Sequence, residues 1–308
     1  MTDFSNNGYT KPLFILPFDH RASFEKGMFG VNEESMTDLQ RQQIKEEKEI
    51  IYEGFKKAVL EKVPKEEAAI LVDEEFGAEI LQDASRNGFA TCLATEKSGQ
   101  EEFDFEYGES FKEHIEKFKP TFVKALVRYN PNNNVDVNIR QVEKLKILND
   151  YCHSQGYLFM LEVLIPPTKE QLAKVGNQLA QFEENVKPEL IAEAIDSFYV
   201  AGIVPNVWKL EGMNRKEDFE KVTERIKARG QEAGIVVLGR GEKKEFVERW
   251  ITEAAKVNNV TGFAIGRTIF WQAVLDYKEH KLTKEEAIDI ISKNYQYFYN
   301  LFVSSRNI

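Results

Sequence analysis

The stretch PNVWKLEGMN, residues 205–214, resembles a short buried strand that carries two charges. Trp208 and Leu210 are typical of a strand inside a parallel sheet, which is covered on both faces and is normally apolar throughout. Lys209 stands at the centre of this strand, and Glu211 follows two residues later. An ammonium group there loses its water. We therefore expect it to be paired, to lie at a sheet edge, or to take part in chemistry.

Seven further apolar runs occur along the chain, with segments of helical period between them. The runs are LFILPFD (13–19), AAILVD (68–73), GFATCLA (88–94), TFVKALV (121–127), YLFMLEVL (157–164), IVVLG (235–239) and GFAIG (262–266). The predicted helices span 36–60, 138–155, 187–202, 243–257 and 283–303. This alternation predicts an α/β fold, and a count of eight favours a closed (β/α)8 TIM barrel over an open sheet. We predict one domain over residues 1–308, with an added C-terminal helix.

The composition argues against several classes of protein. A net charge of −10 argues against a general nucleic-acid or anionic-membrane binder, so an anionic ligand would need a local basic pocket. Residues 1–11 are polar, and no apolar stretch approaches the ~18 residues of a membrane span, which predicts a cytoplasmic protein. Cys92 and Cys152 lack metal-ligand spacing and are expected to be free thiols. We expect no metal and no other cofactor.

Charged residues follow most of the predicted strands or interrupt them. In a barrel, catalytic groups lie at the carboxyl ends of the strands, on one face. Taken singly, most of these residues have a structural interpretation as helix caps, solvated pairs, structural partners or side chains that reach water. That interpretation applies to Asp19, Asp73, Glu96, Lys97, Arg128 and Glu211. It is weaker for Lys124 and Lys209, because both interrupt apolar runs in the middle of a strand.

The two mid-strand lysines, with Glu162 on the strand between them, indicate Schiff-base chemistry. A buried lysine beside another cation has a lowered pKa, and its neutral amine can attack a ketone. The resulting iminium accepts electrons, so a neighbouring carbon–carbon bond can break or form. We expect burial to raise the pKa of Glu162, which would then carry protons to and from the substrate. By periodicity alone, Lys124 and Lys209 are equally plausible nucleophiles.

Two glycine–arginine turns, LGRG (238–241) and IGRT (265–268), follow the seventh and eighth predicted strands. Barrels commonly bind phosphate at this position. Glycine lets backbone N–H groups approach the anion, and arginine adds a bidentate donor. The candidate phosphate-binding residues are Gly239, Arg240, Gly241, Gly266 and Arg267.

Seven motifs together resemble two related families of class I aldolases. They are LPFDHRASF, AILVDEEFG, TEKSG, VKALVRYNP, LFMLEVLIPP, VWKLEG and GFAIGRTIF, and the resemblance covers roughly residues 12–278. One family is the tagatose 1,6-bisphosphate aldolases. The more similar one is the 2-deoxy-5-keto-gluconate 6-phosphate aldolase-type domain of inositol catabolism, which is often fused behind 5-dehydro-2-deoxygluconokinase. We expect this chain to hold the barrel without a kinase domain.

The resemblance implies a (β/α)8 barrel and a role for each matched residue. Lys209 matches the Schiff-base lysine, and Lys124 and Glu162 match positions used for substrate contact and proton transfer. Asp19 and Arg21 match the family's Asp-Gln-Arg motif, which is Asp-His-Arg here. The phosphate-binding positions correspond to Gly241, Gly266 and Arg267. The tagatose aldolases carry a serine where this chain has Gly239–Gly241, which suggests a different or more anionic ligand.

The leading hypothesis is a class I aldolase acting on a phosphorylated ketose or keto-sugar acid, with release of dihydroxyacetone phosphate or a similar fragment. We also expect Arg21, Asp73 and Lys97 to contact the substrate. Alternatives are a sulfo-sugar aldolase or transaldolase, and a sugar-phosphate sensor without turnover. A metal-dependent lyase or isomerase is a further alternative, with a divalent ion held by Asp19, Asp73, Glu162 and Glu211. The C-terminal helix could pack on its own barrel or mediate a homo-oligomer.

Overall fold

The computed structural model describes residues 8–30 and 35–306, so most of the predicted polar N-terminal segment, residues 1–7, lies outside it. Within the described residues, eight parallel strands pair in sequence order and close into a barrel. The strands are β1 (Leu13–Pro17), β2 (Ala68–Val72), β3 (Ala90–Ala94), β4 (Phe122–Arg128), β5 (Leu158–Leu164), β6 (Val207–Glu211), β7 (Gly234–Leu238) and β8 (Val260–Ala264). The predicted (β/α)8 barrel is confirmed, and each predicted apolar run overlaps one strand, although β8 begins two residues before its predicted run.

Helices follow the strands and cover the outside of the barrel. They are α1 (Ala22–Phe24), α2 (Asp38–Glu61), α3 (Glu74–Arg86), α4 (Phe111–Phe118), α5 (Val135–Gln155), α6 (Lys169–Lys174), α7 (Leu179–Asn185), α8 (Lys187–Val200), α9 (Lys216–Ala228), α10 (Lys244–Ala255), α11 (Arg267–Lys278) and α12 (Lys284–Arg306). A π-helical turn, Glu25–Phe29, extends α1. In the described part of the chain, no helix is both long enough and apolar enough to span a bilayer.

Alternate side chains of each strand point into the barrel interior and toward the surrounding helices. The interior cluster includes Cys92, Phe122, Met160 and Val207, whereas Trp208 and other alternate residues pack outward against the helices. Successive side chains of a strand point to opposite faces. Residues two positions beyond an interior residue therefore point inward as well, nearer the carboxyl end of the barrel.

The C-terminal helix α12 packs on its own barrel. The Tyr295 hydroxyl donates to the carbonyl oxygen of Phe14 in β1 at 2.6 Å, and Ile291, Phe298 and Phe302 are buried beside it. These side chains bury the apolar face of α12 within the chain. Homo-oligomerisation stays a prediction.

The barrel closes where β8 pairs with β1. Gly262 is opposite Leu13 in this pair, and a methyl group built on Gly262 would lie 1.9 Å from the Leu13 carbonyl oxygen. The backbone can remove this clash only by separating the two strands. We expect Gly262→Ala to lower the free energy of unfolding by at least about 2 kcal/mol, measured by urea denaturation.

Gly239→Ala is the matched control for the seam variant. A methyl group at Gly239 would meet side-chain atoms at 3.4 Å or more, so its effect should stay within about 1 kcal/mol. Equal stabilities of the two variants would contradict the close approach at the seam.

Candidate active site

Lys124, on β4, is enclosed by carboxylates. Its side chain is 1% exposed, and its Nζ atom lies 2.9 Å from Asp19, 2.5 Å from Glu96 and 2.9 Å from Glu162. Phe122, two residues earlier, belongs to the barrel interior, so Lys124 continues the inward face of β4. The interior thus becomes charged at its carboxyl end.

Lys209 reaches the same point from β6. Its Nζ atom donates to Oε2 of Glu162 at 2.8 Å, the oxygen that Lys124 also contacts. Glu162 and Lys209 are direct partners in the β5–β6 register, and their neighbours Met160 and Val207 are in the barrel interior. The structure therefore brings the two mid-strand lysines onto opposite sides of one carboxylate oxygen.

The charges of this cluster set the pKa values of its members. Burial alone would lower the pKa of Lys124, but the carboxylates of Asp19, Glu162 and Glu96 outweigh it and raise that pKa well above its usual value. Burial alone would raise the pKa of Glu162, but Lys124 and Lys209 lower it. This corrects the expectation that burial raises the pKa of Glu162, because the sequence does not reveal two lysines on one oxygen.

Asp19 and Glu96 respond to the same lysine in opposite ways. The pKa of Asp19 is lowered, because Lys124, Lys209 and His20 outweigh the effect of burial. The pKa of Glu96 is raised, because burial outweighs the attraction of Lys124. Burial also lowers the pKa of the His20 imidazole to about 4, so that ring is neutral near pH 7. The cluster therefore combines fixed charges with one carboxyl group that holds its proton more readily.

A cavity of about 260 Å³ opens above the cluster. Besides Asp19, Glu96, Lys124, Glu162 and Lys209, its lining includes His20, Arg21, Lys97, Ser98, Gly99 and Arg128. Several buried polar atoms of this lining have no hydrogen-bond partner among the described residues, including His20 Nδ1, Arg21 Nε and Glu96 Oε2. Buried polar groups are normally satisfied, so we expect these atoms to bind water or a polar ligand.

Cations without a carboxylate partner lie at the rim of this cavity. In the described ranges, Lys97 and Arg128 form no salt bridge, and Arg128 donates only to the carbonyl oxygen of Gln100, at 2.7 Å. Arg21, in contrast, is paired with Glu106 and donates to the carbonyl oxygen of Glu96 at 2.6 Å. In a chain of net charge −10, unpaired cations around a cavity are suited to an anionic ligand.

The two glycine–arginine turns pack against each other, but they line a neighbouring groove of about 720 Å³. This groove includes Gly241, Arg267 and Thr268. Gly241 has a φ of 73°, and a methyl group on it would lie 2.4 Å from Cζ of Arg267, so the guanidinium rests directly on this turn. Arg267 donates to the carbonyl oxygen of Arg240 at 2.6 Å and forms no salt bridge in the described part of the chain. Gly239 and Gly266 lie close by, packed near Ile265 and Pro17 respectively.

Arg240, Glu211 and Asp73 are not among the residues that line the lysine cavity. Arg240 pairs with Glu183 at 2.7 Å and Glu211 at 2.8 Å, and Glu211 also binds buried Lys187. Asp73 caps helix α3 by accepting from the Phe76 N–H at 2.9 Å and is paired with buried Lys48. The structural interpretation therefore describes Asp73 and Glu211 better than substrate contact does.

The acidic residues of the metal hypothesis do not converge. Asp19 and Glu162 contact Lys124, whereas Asp73 and Glu211 are held by other cations elsewhere. Over residues 8–30 and 35–306, no three His, Cys, Asp or Glu side chains are arranged to hold a metal ion.

Sequence reasoning left Glu96 and Arg128 out of the site, and the structure places both in the cavity lining. A signal for Glu96 was present. Cys92 and Ala94 alternate on the inward face of β3, and Glu96 is the next residue of that series.

Comparisons with known proteins support the fold. A protein-family model described as "Uncharacterized protein conserved in bacteria (DUF2090)" matches residues 4–306. No curated protein sequence matches the chain. The crystal structure of Cgl0159 from Corynebacterium glutamicum is similar at 15% identity and a TM-score of 0.56, over 94% of this chain and 88% of that one. An archaeal fructose 1,6-bisphosphate aldolase is similar at 11% identity and a TM-score of 0.57, over 93% and 94%. Likeness at these identities shows a shared barrel fold.

Lys124→Met leaves the buried carboxyl groups of Glu96 and Glu162 and the largely buried one of Asp19 without their shared ammonium. We expect the free energy of unfolding at pH 7 to fall by about 3–5 kcal/mol. In the wild type, Asp19 and Glu162 have lower pKa values in the folded protein than in the unfolded chain. Their ionisation therefore stabilises the fold at any pH above the unfolded-state pKa, and this stabilisation is lost as the pH falls through the folded-state pKa. The deficit of the variant should therefore shrink as urea titrations move from pH 7 toward pH 3.

Lys97→Met serves as the control, since Lys97 is exposed and forms no salt bridge in the described residues. We expect a change within about 0.5 kcal/mol at every pH. A deficit of Lys124→Met that stays constant with pH would contradict the electrostatic origin of its effect.

Proposed function

The chain belongs to the DUF2090 family, and we propose that this member is a class I aldolase. It would cleave or form a carbon–carbon bond in a phosphorylated ketose or keto-sugar acid through a Schiff base on Lys209. Dihydroxyacetone phosphate, or a similar three-carbon fragment, would be one product. The reaction requires no cofactor, because the lysine itself supplies the electron sink.

The observation that carries this proposal is the contact of two buried lysines with one oxygen of Glu162. A single buried lysine is often a structural ion pair. Here two buried amines converge on one carboxylate oxygen, and both line a cavity that contains polar atoms without a partner in the described residues, which supports a catalytic role. Active sites are where such like charges are gathered.

The surroundings of the two amines support Lys209 as the nucleophile. Three carboxylates enclose Lys124 and raise its pKa, so its nitrogen keeps its proton and has no lone pair for attack. Lys209 forms one salt bridge in the described residues, to Glu162, and it lines the cavity. After the Lys209 ammonium passes a proton to a neighbouring carboxylate, its neutral amine would add to the ketone. That proton would then return to the carbinolamine hydroxyl, which would leave as water, and the resulting iminium would draw electrons from the adjacent bond.

Two sets of unpaired cations support a substrate that is anionic at both ends. Lys97 and Arg128 lie at the rim of the lysine cavity, on the β3 and β4 side, and Arg267 lies beyond β8. Such a ligand agrees with a keto-sugar acid phosphate, as the resemblance to the 2-deoxy-5-keto-gluconate 6-phosphate aldolase-type domain suggests. The archaeal neighbour is named for a sugar bisphosphate, which has the same charge pattern.

Borohydride trapping tests the proposed Schiff base. The protein would be incubated with dihydroxyacetone phosphate, reduced, and examined by intact mass and peptide mapping. We expect a stable adduct on Lys209 that is absent from Lys209→Met, because only a primary amine forms the imine.

Lys146→Met is the control for trapping, since Lys146 lies on α5 and pairs with Asp150 at the surface. It should form the adduct as the wild type does. An adduct on another lysine would reassign the nucleophile. No adduct with a panel of keto-sugar phosphates would favour a binding protein without turnover.

The anionic character of the substrate can be tested with hexane-1,6-diyl bisphosphate as a competitor of trapping, since it has two phosphates but no ketone and cannot itself be trapped or cleaved. Arg128→Gln and Arg267→Gln each remove one unpaired guanidinium, so each should raise the inhibitory concentration about tenfold, equivalent to ~1.4 kcal/mol. Arg86→Gln, at an exposed position on α3, should leave that concentration unchanged. A change in only one of the two variants would indicate a substrate that is anionic at one end.

A further inference from the structure

Glu96 differs from the other carboxylates around Lys124. Its Oε1 atom contacts Lys124 at 2.5 Å, while its Oε2 atom is buried and has no hydrogen-bond partner in the described residues. In Glu162, by contrast, Oε2 receives both lysine amines. Glu96 lines the same cavity as Lys209, and in the described residues no hydrogen bond ties its Oε2 atom to another group.

The backbone fixes Glu96 in this position. Its carbonyl oxygen accepts a hydrogen bond from Nη2 of Arg21 at 2.6 Å, and the residue forms an antiparallel bridge with Phe105. The preceding residue, Thr95, donates its N–H to the carbonyl oxygen of Lys124 at 3.0 Å. These contacts hold the loop after β3 against β4 and the end of β1. Such support keeps a side chain aligned with a bound substrate.

Glu96 also differs from Asp19 and Glu162 in how the charges of the cluster affect its ionisation. Three carboxyl groups face two ammonium groups, so full ionisation leaves one negative charge in excess. Asp19 and Glu162 are held ionised by the lysines, whereas burial raises the pKa of Glu96. The charged groups that face Glu96 are Lys124 from β4 and Asp19 and Arg21 beyond β1. Of these three carboxyl groups, Glu96 is therefore the one whose surroundings favour the protonated form.

We propose that Glu96 is the catalytic base and acid that converts the iminium on Lys209 to the enamine and back. This step rests on the proposed aldolase function. The carbon–hydrogen bond next to the iminium breaks, its proton passes to the Glu96 carboxylate, and its electron pair forms the carbon–carbon double bond. The carbon–nitrogen π electrons return to nitrogen, which becomes neutral. Glu162 then acts as a positioning residue that holds both amines.

Solvent exchange into dihydroxyacetone phosphate tests this proposal without knowledge of the full substrate. In deuterium oxide, each cycle of proton removal and return replaces the hydrogen next to the ketone, which NMR detects. We expect Glu96→Gln to form the borohydride-trapped adduct but to exchange at least about 100-fold more slowly per adduct, because general acid–base groups contribute that much or more. The wild-type rate should fall at acid pH as Glu96 takes up a proton, and this fall should be absent in Glu96→Gln.

Two further variants keep the test decisive. Glu101→Gln makes the same chemical change at an exposed site on the same loop and should exchange like the wild type. Glu96→Asp keeps the carboxyl group and should recover part of the lost exchange rate. If Glu96 only paired with Lys124, this recovery of exchange per adduct would not be expected. Exchange at the wild-type rate in Glu96→Gln would overturn the proposal.

The failure of this proposal is distinguishable from the failure of the proposed function. If the wild type forms no adduct, the Schiff base itself is absent. If Glu96→Gln forms the adduct and exchanges normally while Glu162→Gln loses exchange per adduct, the aldolase stands and Glu162 is the base. If neither variant affects exchange per adduct, both carboxylates are excluded as the base.

Discussion

The ammonium group of Lys124 holds together the charged side chains at the carboxyl end of the barrel. It joins carboxylates that follow β1 and β3 to one that lies on β5, and through Glu162 it reaches Lys209 on β6. Burial of an isolated charge costs several kcal/mol, and removal of one partner leaves that cost uncompensated. The carboxyl ends of five strands are therefore held in place by one set of mutual attractions, and the positions of both amines follow from it.

The same set of charges orients whatever binds above it. The floor of the cavity holds more carboxylates than lysines, whereas the rim carries Lys97 and Arg128 without salt bridges in the described residues. An anionic group is repelled by the floor and attracted by the rim, so a sugar phosphate would direct its charged end outward. A neutral ketone meets no such repulsion and can approach Lys209. Under the proposed function, the phosphate would thus bind near the rim, and the attack on the ketone would occur deeper in the cavity.

The sequence predicted the barrel because each strand is a short apolar run between helical segments. It also predicted Lys124, Glu162 and Lys209, since a charge at mid-strand is conspicuous in an apolar run. Glu96 was missed because a charged pair after a strand usually belongs to a solvated loop. Other features of the site depend on the three-dimensional fold. Two lysines share one oxygen of Glu162. Arg240 has a φ of 56° and pairs with Glu211 outside the lysine cavity. Linear spacing does not contain this information.

The hydrogen bond from Tyr295 to Phe14 joins positions 281 residues apart, beside the seam that closes the barrel. During synthesis, β1 leaves the ribosome first but cannot complete its pairing until β8 and α12 have followed. At about 5–20 residues per second, that interval is on the order of 15–60 seconds. For this period the nascent chain holds an incomplete sheet with an unpaired edge, a form that chaperones bind and that aggregation exploits. The closed topology that brings the two lysines together therefore leaves β1 without its seam partner until β8 has been synthesised.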